Sequence, residues 1–195
     1  NIEVDVRDTP ENYCDASGGN EWERIGQVTI KKNEEILLDN KTDGAGNGYS
    51  DYTHTTVPLA IGGDYTISIK GWFKDAPVAV YLRAWIDLNH DNFFSDNERI
   101  VNERIPETQD GLLTTEFSID ENTVPGDNDT RMRIILRYAA LQGSLPPGAC
   151  WVYQTSEIDG GEVEDYKIQL YSPALTSNST HQLLHQSPKL QSVVT

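Results

Sequence analysis

An all-β fold, an antiparallel β-sandwich of jelly-roll-like type with long loops and a calcium-binding loop, is what this sequence predicts. Three observations carry that expectation. Short segments alternate apolar and polar residues with a period of two, turn clusters separate them, and one Asp/Asn-rich loop carries oxygen donors at calcium-ligand spacing. No segment keeps a helical period for three turns before residue 180, and no repeat of 20–50 residues is present.

The alternating segments come in order along the chain: Ile2–Val6, Ile25–Ile30, Tyr65–Ile69, Leu113–Ile119 and Val163–Leu170. Each places apolar side chains on one face, as a strand with one buried and one wet face requires. Val78–Ile86 and Met132–Tyr138 are more continuously apolar and are expected to be central strands. Turns fall at Asp43–Gly48, Ile61–Asp64 and Pro125–Asp129, where Gly, Asn, Asp and Pro gather. Together these spacings predict a sandwich of about eight to ten strands with no βαβ rhythm.

With 195 residues, residues 1–171 suffice for one core, and residues 172–195 form a polar tail or linker. In that tail Ser, Thr, Gln and His dominate, no acid occurs, and Lys189 is the one formal charge. An amphipathic docking helix around Leu183, Leu184 and Leu190 is the alternative reading of the tail. The start at Asn1, without Met or a signal peptide, reads as a mature protein or an excised domain.

A net charge of −16 repels phosphate backbones and anionic lipid, which argues against nucleic-acid partners. No run of 18 apolar residues exists, so no membrane insertion is expected. Such acidity also serves plain solubility, and only the local pattern of acids distinguishes the two. Cys14 and Cys150 are the two cysteines. Either they form one bridge of an extracellular protein, or they are buried thiols of an intracellular one; the Asn/Asp-rich composition favours the bridge. No paired Cys/His spacing suggests zinc.

Chemistry concentrates in Asp87-Leu-Asn-His-Asp-Asn-Phe-Phe-Ser-Asp-Asn-Glu98. Oxygen donors stand at positions one (Asp87), three (Asn89), five (Asp91), nine (Ser95) and twelve (Glu98). Position seven, Phe93, offers its backbone carbonyl. This is the spacing with which an EF-hand loop surrounds Ca²⁺, except that Asn92 replaces the glycine at position six. Asn is the next-best residue for the left-handed turn needed there. The segment before the loop is a strand, so the ion is expected to brace rather than to switch. The competing reading is an empty Asn/Asp turn whose side chains cap their own backbone.

Glu162, Glu164 and Asp165 lie close together at the start of the last strand, with Glu162 and Glu164 on one face and Asp165 on the other. Pairing of Glu162 and Glu164 with Arg131, Arg133 and Arg137 is the favoured expectation. A metal shell, or an Asp165 held by backbone amides, are the alternatives. Acids are too abundant for a catalytic pair to be inferred from proximity, and no nucleophile-elbow motif is present. A stand-alone hydrolase is therefore the weakest reading. Trp85 is expected in the core. Trp72, Trp151 and Tyr153 stand beside turns and are candidates for a surface that binds glycan or peptide; packing around Cys150 is their competing role.

Gly161-Glu-Val-Glu-Asp-Tyr166 resembles the signature of the GEVED domain, a module of bacterial secreted and cell-surface proteins. Tyr13-Cys14, Gly48–Thr53, Trp85–Asp96, Thr130–Arg133 and Cys150 agree with it in order, so the likeness covers roughly residues 13–171. Leu88 and Asn92 depart from the family's loop, and neither change removes a carboxylate. The resemblance implies a β-sandwich without catalytic residues of its own, appended to secreted hydrolases, often metalloproteases, or to adhesin-like proteins. Adjoining domains of a larger protein are the partners it implies.

Overall fold

A computed structural model of the chain describes residues 12–19, 21–44, 47–126, 129–139, 146–152 and 160–173. Nine strands follow one another among them: β1 (Glu23–Lys32), β2 (Glu35–Lys41), β3 (Tyr49–Ala60), β4 (Asp64–Phe73), β5 (Val80–Ile86), β6 (Arg99–Ile105), β7 (Leu112–Ser118), β8 (Thr130–Tyr138) and β9 (Gly161–Tyr171). They form a four-stranded sheet, β2-β1-β4-β7, and a five-stranded sheet, β3-β9-β8-β5-β6. Among the described residues no helix is long and apolar enough to cross a membrane.

The two continuously apolar segments become β5 and β8, each flanked by strands on both sides. Both their faces are covered, which is why alternation is weak there. Antiparallel pairing holds for every ladder but one: β3 runs parallel to β9, with Tyr49 opposite Val163 and Ala60 opposite Tyr171. Strands β3 and β9 are joined through most of the chain, so no hairpin forces them antiparallel. Of the expected turns, Ile61–Asp64 joins β3 to β4; residues 45–46 and 127–128, within the other two, lie outside the described residues. The segment Ile2–Val6 and all of the tail beyond Pro173 lie outside the described residues.

The main core lies between the sheets, where Ile25, Val28 and Ile30 of β1 meet Leu82, Ala84 and Ile86 of β5 and Met132, Ile134 and Leu136 of β8 in one buried cluster. A second, smaller cluster contains Ala16, Trp85, Phe94, Ile135, Ala149 and Val163. Ile135, Trp85 and Val163 have the opposite strand parity to the main-core residues, so this cluster sits on the outer face of the five-stranded sheet. The arm around residues 13–18 and the segment 146–151 cover it. A Cys14–Cys150 disulfide joins these two covers, with Cα atoms 5.5 Å apart. Trp85 is buried, as expected, but in this outer cluster and not between the sheets.

Candidate metal loop and the strand that supports it

The loop 87–98 leaves β5 at Ile86 and enters β6 at Arg99. His90 and Asn92 both take left-handed backbone conformations, with φ of 58° and 59°. The second is the conformation expected where Asn replaces glycine. Asp87 is fully buried and Glu98 is 5% exposed. Asp87 Oδ1 accepts from Asp91 N (3.2 Å), and Asp87 Oδ2 accepts from Asn92 N (3.0 Å). Asn89 Oδ1 accepts from the same Asp91 N–H at 3.0 Å. Oxygens from loop positions one and three therefore converge on one point. Asp91 lies beside them, its Oδ2 accepting from Asn89 Nδ2 at 3.0 Å.

Glu98 closes the loop from its far end. Its Oε1 accepts from Leu88 N and Asn89 N at 2.9 and 3.3 Å, and its Oε2 from Ser95 N and Ser95 Oγ, both at 2.8 Å. Ser95 is thus joined to Glu98 and not to the oxygens of positions one to five. Phe93 has an exposed ring, and its N–H is held by Asp91 Oδ1 at 2.9 Å. Among the described residues no three His, Cys, Asp or Glu side chains form a ready metal cage. The donors are nonetheless all oxygens, which is what a hard cation needs, and calcium accepts carbonyl and amide oxygens beside carboxylates. Asp87, Asn89 and Asp91 fit that requirement as they stand; Glu98 fits it on loosening its bonds to Ser95.

Asp87 also ties the loop to the rest of the molecule. Tyr13 Oη donates to Asp87 Oδ2 at 2.6 Å, Thr130 Oγ1 donates to the Asp87 carbonyl at 2.7 Å, and Asp87 N donates to Arg131 O at 3.0 Å. Burial pushes the Tyr13 phenol well above its ordinary range, and the bond to Asp87 adds to the shift. The Tyr13 ring stacks on Phe94 with centroids 5.0 Å apart. So the loop, the disulfide-bearing arm and β8 share one hydrogen-bonded junction.

The segment 161–166 supports that junction from the next strand. Gly161 has φ of 147°, and a Cβ there would lie 2.2 Å from Leu136 O, so only glycine fits. Asp165 is fully buried and accepts from Arg133 Nε (2.7 Å) and Arg133 Nη2 (2.8 Å), a two-point clamp. Arg131 Nη1 (3.1 Å) and Tyr49 Oη (2.9 Å) complete its shell. Arg131 and Arg133 thus pair with Asp165, on the face opposite to Glu162 and Glu164, for which that pairing was expected; the Arg137 guanidinium lies over the Trp151 ring. Arg133 Nη1 donates onward to Cys14 O (2.8 Å) and Ala149 O (3.0 Å), the carbonyls beside the two half-cystines.

Glu162 and Glu164 share the opposite face, as the alternation predicts, and that face is the interior of the sandwich. Glu162 Oε2 accepts from Ile25 N of the facing sheet at 3.0 Å, and its Oε1 from Ser50 Oγ at 2.6 Å. Glu164 Oε2 accepts from Tyr166 Oη at 2.6 Å, and Tyr166 Oη accepts from Asn40 Nδ2 at 2.9 Å. Glu164 Oε1 is buried with no partner among the described residues. Burial, with the charge of Glu162 adding to it, pushes the Glu164 carboxyl up to about 8. These interior roles were open to sequence reasoning, because Ile168 and Leu170 share the parity of Glu162 and Glu164 and mark their face as the core face.

The aromatic candidates are not brought together. Trp72 lies on the outer face of the four-stranded sheet, 38% exposed and stacked against Arg24. Trp151 packs against the outer cluster of the other sheet, and Tyr153 lies outside the described residues. Residues 81–169, from the start of β5 almost to the end of β9, match the family model of the GEVED domain. No curated protein matches the chain.

Proposed function

Taking residues 81–169 as a GEVED domain, we propose that the chain is a non-catalytic accessory module of a larger secreted or cell-surface protein, with calcium bracing the loop 87–98. GEVED domains are accessory parts of larger proteins, and a disulfide is compatible with an extracellular setting. Asp87, Asn89, Asp91, the Phe93 carbonyl, Ser95 and Glu98 are the ligands of this reading.

One observation carries the calcium part. Asp87 and Glu98 are both buried, and among the described residues no Lys, Arg or His lies within ion-pair distance of either. Buried carboxylates without a compensating cation are costly, and a divalent ion at the mouth of the loop supplies the missing charge. Bound there, it would stiffen the point at which Asp87 joins Tyr13 and Thr130, and through them the arm and β8.

Thermal melting in calcium against chelator, for the native chain and Asp87→Asn, is the test. A site held a thousandfold above its dissociation constant adds about 4 kcal/mol of apparent stability. The native chain is expected to melt higher in calcium, and the variant to lose that difference. A native melting temperature indifferent to calcium, or an equal calcium response in the variant, removes the loop as the site.

A further inference from the structure

The outer face of the four-stranded sheet carries a feature that neither the metal loop nor the 161–166 segment uses. Trp22 and Trp72 are 51% and 38% exposed. They stand side by side where β1 pairs with β4: Arg24 lies opposite Trp72 in the β1–β4 ladder, and Lys74 N donates to Trp22 O at 2.8 Å just beyond its end. Each ring is paired with a cation from the segment opposite it. The Arg24 guanidinium lies 3.8 Å from the Trp72 centroid, and Lys74 Nζ lies 4.2 Å from that of Trp22. The two rings are thus diagonal neighbours, about 7–8 Å apart at the backbone.

Charge makes this arrangement unusual. Acids outnumber Lys and Arg by 31 to 15 in the chain, so a surface cation has ample carboxylates to choose from. Yet among the described residues neither Arg24 nor Lys74 forms an ion pair, although Glu21 and Asp75 are near them in sequence. Arg24 Nε is buried, which leaves the terminal Nη1 and Nη2 groups to meet a ligand. A guanidinium stacked on an indole keeps its in-plane N–H groups for an incoming oxyanion, and a carboxylate matches that fork.

We propose that Trp22, Arg24, Trp72 and Lys74 form a binding surface for a carboxylated glycan, in which sugar rings stack on the indoles and a uronate-type carboxylate pairs with Arg24. Exposed indoles offer flat apolar faces to the C–H faces of sugars, and two of them on a diagonal suit successive units of a chain. The net charge of −16 selects among anions. It repels dense polyanions such as nucleic acid and anionic membranes, whereas isolated carboxylates on a sugar chain meet only the local cations, because charges beyond about 8 Å are screened at physiological salt.

The test is calorimetric titration of the full chain with a uronate-containing oligosaccharide and with the same oligosaccharide after reduction of its carboxyl groups to alcohols. The native chain is expected to bind the first, and to bind the second about tenfold or more weakly, the loss of a charge-assisted hydrogen bond. Arg24→Gln, with melting temperature as a folding control, is expected to abolish that preference. Trp22→Ala, just outside β1, is expected to weaken both sugars. Absence of binding, equal affinity for both sugars, or affinity unchanged in Trp22→Ala and Arg24→Gln would overturn the assignment. So would binding to phosphatidylserine vesicles in place of the sugars.

Discussion

Replacing Glu164 with glutamine isolates the strangest group in the interior. The native carboxyl is fully buried, hydrogen-bonded to Tyr166 through one oxygen, and displaced from 4.5 to about 8 by burial and by its neighbour Glu162. Below pH 4.5 it carries a proton in both the folded and the unfolded chain, so it contributes no pH dependence. Between 4.5 and about 8 the unfolded chain releases the proton and the folded chain keeps it. Stability therefore falls as pH rises, by about 1.4 kcal/mol per unit, and the loss is complete above the folded value. At pH 7 the cost is about 3 kcal/mol, against less than about 1 kcal/mol at pH 5. Glutamine is nearly isosteric, can still accept from Tyr166, and has no such term. Urea denaturation of both proteins at pH 5, 6, 7 and 8, at one calcium concentration, gives the comparison. Every other titrating group cancels in the difference between the two curves. Glu164→Gln should gain on the native chain by about 2–3 kcal/mol between pH 5 and pH 7. A difference that stays constant across this range would mean that Glu164 is ionised in the folded state, and the reasoning would fail.

Asp165→Ala strips the clamp from Arg133 and Arg131 and leaves a buried guanidinium unpaired; a loss of about 3–5 kcal/mol is expected in the same denaturation assay. Gly161→Ala forces a side chain against Leu136 O from a left-handed backbone, and should cost about 3 kcal/mol or more. Replacing both Cys14 and Cys150 with serine opens a loop of 136 residues, worth up to about 5 kcal/mol by chain entropy; denaturant midpoints with and without reductant should converge in the variant.

The strands that sequence patterning conceals share a position in the sheets. The strands at β1, β4, β5, β7, β8 and β9 announce themselves by alternation or continuous apolar runs. Strands β2, β3 and β6 do not, and all three are sheet edges; the fourth edge, β7, keeps its alternation because Phe117 is buried in the core. An edge strand pairs on one side only and is kept polar to discourage further pairing. Its pattern then resembles that of a loop: β3 reads Tyr-Ser-Asp-Tyr-Thr-His-Thr-Thr-Val-Pro-Leu-Ala, with Pro58 tolerated at an edge, and β6 carries Arg99, Glu103 and Arg104. Parallel pairing of β3 with β9 was equally hidden, since register across a long connection leaves no local mark.

Much the same distinction governs the site. Ligand spacing at 87–98 is a local property, and the left-handed turn at Asn92 follows from the residue type. What the loop is fastened to is non-local. Tyr13 reaches Asp87 across 74 residues, and Arg133 reaches the carbonyl of Cys14 across 119. Through these bonds the 161–166 segment acquires a physical meaning. Gly161 permits the close approach of β8, Asp165 fixes Arg133, and Arg133 holds both sides of the disulfide, while Glu162 reaches across the core to Ile25. These residues fasten β9, the arm and the loop 87–98 to one another, and that leaves the opposite sheet, with Trp22 and Trp72 on its outer face, free to make contacts of its own.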